Sequence, residues 1–327
     1  MRLPMVLTAV LTAFTVASLL GCGAAQAQKF PSKPIRIVVA APPGTGPDIA
    51  ARLVAGKLPE HLGTPGIVDN RPGGGGVPAA TVVVSAAPDG YTLLVGDTGM
   101  YAILPHQNPA FDPWKSLTPI TLAGTTPIFL AVAAGRNVSS VKELMALAKS
   151  KPGLPYGSSG NGTVHHFYME LFKSLAGVDM THIPHKGAAP AVQAVISGDV
   201  AAAFAGFNLL FPQAKAGKLK MLAVASEVRS ALMPDLPTMA EAGVAGFNIN
   251  SVTFGYFAPL NTPVETIDRL RSALVSATRD AEVVQRFNAL GIEAPVDTSS
   301  ERLSETMRRE RQQYGQIIKS LGLAMKP

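Results

Sequence analysis

PIRIVVAAPPGTGPDIAARLVAGK, residues Pro34–Lys57, changes its period twice within a short span, and the rest of the chain can be read outward from it. Ile35, Ile37, Val38 and Val39 form a short, nearly continuous apolar run rich in β-branched residues, the pattern of a strand buried on both faces. Pro42-Pro43-Gly44-Thr45-Gly46 then interrupts regular structure. Pro47 suits a first helical position, and Ile49, Leu53 and Leu58 among alanines give a helical face. Strand, glycine loop and helix N-terminus in that order gather free backbone N–H groups and the positive end of a helix dipole, a place for an anion. Nucleotide motifs do not fit. After Gly44 and Gly46 the third glycine of G-x-G-x-x-G is Ile49, and Lys57 comes too late for a Walker loop. An ordinary strand-to-helix turn and a ligand loop both remain open from this stretch alone.

Before this stretch the chain reads as an export signal over residues 1–27. Arg2 is a minimal basic region, Val6 to Leu20 an apolar core, and Ala25-Gln26-Ala27 an A-x-A cleavage site. Leu19-Leu20-Gly21-Cys22 also resembles a bacterial lipobox, and Cys22 is the only cysteine. Cleavage after Ala27 gives a soluble periplasmic protein, the expectation adopted; cleavage before Cys22 gives a membrane-anchored lipoprotein. Either way no disulfide can form within the remaining chain. The formal net charge of +6 is modest and the basic residues are scattered; the one dense cluster, Arg308-Arg309-Glu310-Arg311, is interrupted by an acid. This argues against a nucleic-acid partner. No later apolar run reaches the roughly 18 residues of a membrane span.

From Lys33 to about Ala123, strand and helix alternate: Ile35–Val39, Pro47–Leu58, Ile67–Asp69, Val77–Ala87 and Tyr91–Val95, with a turn at Ala87-Pro88-Asp89-Gly90. That implies a mostly parallel sheet with helices on both faces. Gly73 to Gly76, before the second of these helices, is either a flexible connection or a second backbone-lined loop. A second set of elements runs from about Phe129 to Asn250. In it Ser140 and Glu143 form a capping box. Tyr156-Gly157-Ser158-Ser159-Gly160-Asn161-Gly162-Thr163 repeats the first design: strand end, small polar loop, then a helix from Val164 to Leu175. Later come strands at Val200–Phe204 and Lys220–Ala225. Helices are then expected from a Thr262–Glu265 capping box, over Ala281–Leu290, and from about Glu301 to Leu321.

Catalytic chemistry fits these residues less well than binding. His166 and Glu170 share a helix face and His182 and His185 are close in sequence, raw material for a metal site, but H-E-x-x-H is absent. His166 reads more simply as a residue that holds the preceding loop. Around Ser159 the nucleophile elbow G-x-S-x-G lacks its second glycine, which is Asn161. An exported hydrolase using Ser159 or a histidine-bound metal is the alternative function. Asp48, in the first turn of its helix, reads mainly as a dipole and loop partner.

The ordered segments Phe30–Arg36, the proline-glycine loop through Asp48 to Arg52, Asp69-Asn70-Arg71-Pro72-Gly73, Ala87–Leu94, Tyr156–Gly160 with Gly162, Thr163 and His166, Lys186-Gly187, Ala216–Leu219, and Leu236-Pro237-Thr238 with Glu241–Gly243 carry a resemblance. The chain resembles the Bug family of extracytoplasmic solute receptors, the substrate-binding components of tripartite tricarboxylate transporters. The resemblance implies an α/β fold like type II periplasmic binding proteins, two lobes around a ligand cleft, joined by two crossing strands. Lobe 1 is then 28–128 plus 251–327, with the C-terminal helices folding back on it, and lobe 2 is 129–250. It implies a non-enzymatic, monomeric receptor with no metal and no cofactor. Its ligand is a small organic carboxylate, and its partners are transporter membrane subunits or a sensor protein. Carried over onto this chain, the ligand-binding positions are Pro43, Gly44, Thr45, Gly46 and Asp48 in the first lobe. In the second they are Ser158, Ser159, Gly160, Asn161, Gly162, Thr163 and His166. These act mainly through backbone groups and waters. The chain departs from the family at Ala40-Ala41, where Pro-Phe is common, at Gly44-Thr45, where paired glycines are, and at His185, where tyrosine is usual. Without an aromatic ring beside the ligand there is more room, so a bulkier or aromatic acid is expected.

Overall fold

Residues 30–108 and 112–322 are described in a computed structural model of the chain. The expected leader, residues 1–27, and Cys22 lie outside the described residues. The opening strand forms where the apolar run places it. β1 (Ile35–Val39) sits between β2 (Gly66–Asn70) and β3 (Thr92–Asp97), parallel to both. Ile35, Ile37, Val38 and Val39 are fully buried, which is why the run is continuous and does not alternate. Between these strands lie helices α1 (Gly46–Leu62) and α2 (Val77–Val84). β3 leads into a helical turn, Gly99–Ile103, continued by α3 (Leu104–Gln107).

β4 (Leu117–Thr126) closes this first sheet, and β5 (Ile128–Ala133) already belongs to a second one. Then follow α4 (Val141–Ser150), β6 (Leu154–Ser158), α5 (Val164–Ala176), β7 (Met180–Pro184), α6 (Ala188–Ser197), β8 (Ala202–Gly206), α7 (Phe207–Lys215) and β9 (Leu219–Val224). β10 (Val252–Pro259) returns to the first sheet, and α8 (Val264–Thr278), α9 (Ala281–Ala289) and α10 (Ser300–Leu321) finish the chain.

The two sheets have the same plan. The first runs β2-β1-β3-β10-β4 and the second β7-β6-β8-β5-β9. In each, three parallel strands are followed by an antiparallel strand that has just arrived from the other sheet: β10 between β3 and β4, and β5 between β8 and β9. These are the two crossings of a two-lobed α/β binding-protein fold. The C-terminal helices pack on the first lobe, α8 against α1 and α10 against β4 and the Gly99 turn. α10 also reaches the second lobe, where Tyr314 Oη lies 3.2 Å from Tyr168 Oη and its ring packs on Phe167. Among the described residues no helix is long and apolar enough to cross a membrane.

Local signals held where side chains were free to act. Ser140 accepts from the Glu143 amide, and Glu143 takes the Ser139 amide, so the box closes one residue early. Two expectations need correction. Thr262 does not cap α8: its hydroxyl donates to Pro259 O at 2.8 Å, and the helix starts at Val264 with Pro263 before it. The strand expected at Val200–Phe204 begins at Ala202, because the Val200 amide still donates to Ala194 O of α6; the Ala201 amide donates to Pro155 O of β6.

Glu310 of α10 is 1 % exposed and binds the base of the cleft together. One oxygen accepts from Thr98 Oγ1 (2.9 Å) and Tyr101 Oη (2.8 Å), and the other from Thr253 Oγ1 (3.1 Å). Burial pushes its carboxyl up to about 7 against the opposing hydrogen bonds. The native state therefore holds this proton more tightly than the unfolded chain, and its stabilisation is lost as pH rises from the ordinary glutamate range through about 7. Glu310→Gln should remove this slope, worth on the order of 3 kcal/mol, from urea unfolding free energies measured across that range. An unchanged slope would contradict the assignment.

Candidate functional site

Each parallel strand ends, at its carboxyl side, in a loop that starts a helix, and these loops meet in one cavity between the lobes. The space is about 780 Å³ including its mouth. The crossing strands supply Thr126, Ile128 and Val252.

The first loop is held from behind. Asp48 is 2 % exposed and takes the Gly44 amide at 2.8 Å, Arg52 Nε at 3.0 Å and Asn70 Nδ2 at 2.9 Å. Asn70 also donates to Ala41 O. Gly44 has φ of 79°, a conformation that glycine adopts without cost. Thr45 precedes α1, and its hydroxyl donates to Pro42 O at 2.7 Å. Ala41, Pro42, Thr45, Gly46 and Pro47 line the cavity, whereas Pro43 and Gly44 face outward and Asp48 lies behind the loop.

The second loop is built the same way. Ser158 is fully buried, its hydroxyl 2.6 Å from His182 Nε2 and 3.1 Å from the Gly160 amide. Thr163 caps α5 and donates to Gly160 O at 2.8 Å. The Gly162 amide donates to His166 Nδ1, the loop-holding role read from the sequence. His166 stacks on His182 with ring centroids 3.9 Å apart, and His182 stacks on Tyr156. Burial lowers both histidines, His182 to about 4, so both are neutral and can accept hydrogen bonds. Among the expected site residues of this loop, Ser159 and Thr163 line the cavity, Asn161 is exposed, and Ser158, Gly160, Gly162 and His166 shape the loop.

Several lining residues carried no sequence signal. Asp97 ends β3 and Gly99 follows it, His165 sits in the first turn of α5, and Asn208 and Leu209 sit in that of α7. The glycine run resolves toward a lining loop, with Gly73, Gly75 and Gly76 on the wall before α2. The cavity thus faces the N-termini of α1, α2, α5, α6 and α7, each presenting first-turn N–H groups without intrahelical partners. No lysine or arginine lines it, so positive potential comes from helix ends. Two buried polar atoms on its wall, Thr126 Oγ1 and His165 Nε2, have no partner. A buried donor without a partner is costly.

The lobes touch across this space. Asn208 Nδ2 donates to Gly44 O at 2.7 Å, and a Cβ at Gly187 would come within 3.2 Å of Pro42.

Ser159 Oγ is 2.7 Å from His165 Nδ1, a pair that the sequence reading missed. Burial lowers His165 to about 4, and its other nitrogen has no carboxylate to orient it, so the pair lacks the third member of a catalytic relay. With the serine hydroxyl donating to Nδ1, the Nε2–H is left as a buried donor without a partner. Among the described residues no cluster of His, Cys, Asp or Glu side chains gathers as metal ligands.

Two lobes meeting over a cavity ringed by helix N-termini define a solute-binding receptor. Residues 34–323 match the family described as "Tripartite tricarboxylate transporter family receptor", and the chain belongs to that family. It is 34% identical over 304 residues to a UPF0065 protein of Cupriavidus necator, covering 92% of this chain and 91% of that one. BugT of Bordetella pertussis is 31% identical, with 92% and 93% covered. Among solved structures, MatC (Rpa3494) from Rhodopseudomonas palustris with bound malate superposes with a TM-score of 0.83 at 30% identity, covering 88% of this chain and 100% of that one. Rpa4515 from R. palustris with adipate gives a TM-score of 0.83 at 30% identity, covering 90% and 98%.

Asn208→Ala removes the hydrogen bond that ties the lobes together. It should weaken binding of a cognate acid by roughly fivefold to tenfold, chiefly through faster release, in stopped-flow and calorimetric titration. Unaltered release would show that closure does not depend on this contact.

Proposed function

We propose that the protein captures a small organic carboxylate between its lobes outside the cytoplasm and hands it, chemically unchanged, to the membrane subunits of a transporter. The observation that carries this is the cavity wall: helix N-termini from both lobes, unpartnered Thr126 Oγ1 and His165 Nε2, and no basic side chain. Such a wall supplies donors to a carboxylate without a dedicated arginine. The malate and adipate held by similar receptors support the ligand class.

The ligand-contacting set in this reading is Thr45, Gly46, Ser159 and Thr163. Pro43, Gly44, Asp48, Ser158, Gly160, Asn161, Gly162 and His166 keep the loops in shape or act through water. The lobes are 28–128 with 251–327, and 129–250. Residues 1–27 direct export to the periplasm and are cleaved after Ala27. Ala41 lines the cavity where a large side chain would narrow it, so the site admits acids bulkier than a four-carbon one.

Thermal unfolding of the protein, refolded to remove carried-over ligand, against mono-, di- and tricarboxylates, aromatic ones included, tests this. Binding to the native state alone at 100 times Kd adds about 2.7 kcal/mol, a clear rise in midpoint. A rise with one class of acid, recovered intact, is expected. Turnover of the acid, or no rise with any acid, would overturn the receptor reading.

A further inference from the structure

Asp97 is the one carboxylate side chain in a cavity wall otherwise made of uncharged and apolar groups and helix N-termini. It stands at the carboxyl end of β3. Its Oδ1 accepts from the Met100 amide at 3.2 Å, which caps the turn that follows. Capping alone does not call for a charge, since asparagine or serine would accept the same amide. A carboxylate is the expensive choice here, and burial pushes its pKa above the ordinary aspartate range, opposed only by backbone amides. No lysine, arginine or histidine among the described residues pairs with it. Its remaining accessible surface faces the cavity.

Its neighbours complete the picture. A Cβ at Gly99 would lie 3.1 Å from Asp97 Oδ1 and 3.5 Å from Val164 N. Gly99 thus lets an anionic acceptor on the first lobe and the N-terminus of α5 on the second approach one another closely. A plain dicarboxylate would bring like charge toward Asp97. A ligand with both signs would satisfy both walls, its carboxylate on the helix N-termini and hydroxyls, its cation on Asp97.

The geometry points to Asp97 as the residue that selects, among organic acids, those that also carry a protonated nitrogen. This inference rests on the receptor reading above and narrows its ligand class to amino carboxylates. The cationic N–H donates to the Asp97 carboxylate, a charge-assisted bond shielded from water when the lobes close. Water-bridged hydroxyl groups would be poorer partners for the same oxygen.

Calorimetric titration of the refolded protein with matched pairs tests it: succinate against aspartate, glutarate against glutamate, and phenylpropionate against phenylalanine. In at least one pair the amino member should bind roughly tenfold or more tighter. Asp97→Asn keeps the amide cap and should abolish that preference while leaving the amine-free acid bound as well or better. Should this variant unfold, Asp97→Ser keeps a capping oxygen and serves the same comparison. Amine-free acids that bind as tightly as their partners, or a preference that survives in the variant, would overturn the role of Asp97 and leave the receptor intact. No binding by any of these acids, or by the wider acid panel, would overturn the receptor reading itself, and this inference with it.

Discussion

Only Pro127 separates the last residue of β4 from the first residue of β5, and the arrangement of the site depends on that short crossing. A chain that changes sheets across one residue cannot let the two sheets wander apart. The return through β10 inserts a second crossing strand beside β3 and β4. Thr126, Ile128 and Val252, at these crossings, form part of the cavity wall. The helices that follow the parallel strands of both sheets therefore start around one space, and their N-terminal N–H groups sum where no basic side chain is present. The Asn208 to Gly44 bond ties the two lobes together across this space.

Most polar residues of the site work out of contact with the space they shape. Asp48 and Asn70 fix the first loop, and Ser158, His166 and His182 fix the second. Burial keeps both of these histidines neutral, so His166 accepts a loop amide, His182 pairs with the Ser158 hydroxyl, and neither adds charge to repel or attract a ligand. Glu310 plays the same part beneath the cleft, tying Thr98 and Thr253, neighbours of Asp97 and Val252, to the C-terminal helix. Specificity is left to few groups that face inward, which is how a common scaffold changes ligands by single substitutions.

What could be read from the sequence was local. β1, its loop and α1 were legible because a buried strand, a proline-glycine break and an amphipathic helix each leave a periodic mark, and Ser140 marked its helix by a cap. The paired loops were legible as a repeated design, and the resemblance to solute receptors supplied the two-lobed frame. Residues that matter through distant placement left no mark. Asp97 reads as the end of a strand, His165 as one helix residue among many, and Asn208 as a polar residue before an apolar run. Thr126 becomes informative only when its hydroxyl is seen to lack a partner. The insertion of β5 and β10 as antiparallel strands was likewise hidden, since their pairing joins residues far apart in the chain. Thr262 shows the opposite failure, a motif whose side chain found a closer acceptor at Pro259.

Where an acid sits is the deciding question, and a crystal structure of the protein with its bound acid would answer it. Carboxylate oxygens are expected within hydrogen-bond distance, directly or through one water, of first-turn N–H groups or hydroxyls from both lobes, near Thr45 and Thr163. An acid held by a lysine or arginine, or bound to one lobe alone outside this cavity, would contradict the receptor site described above.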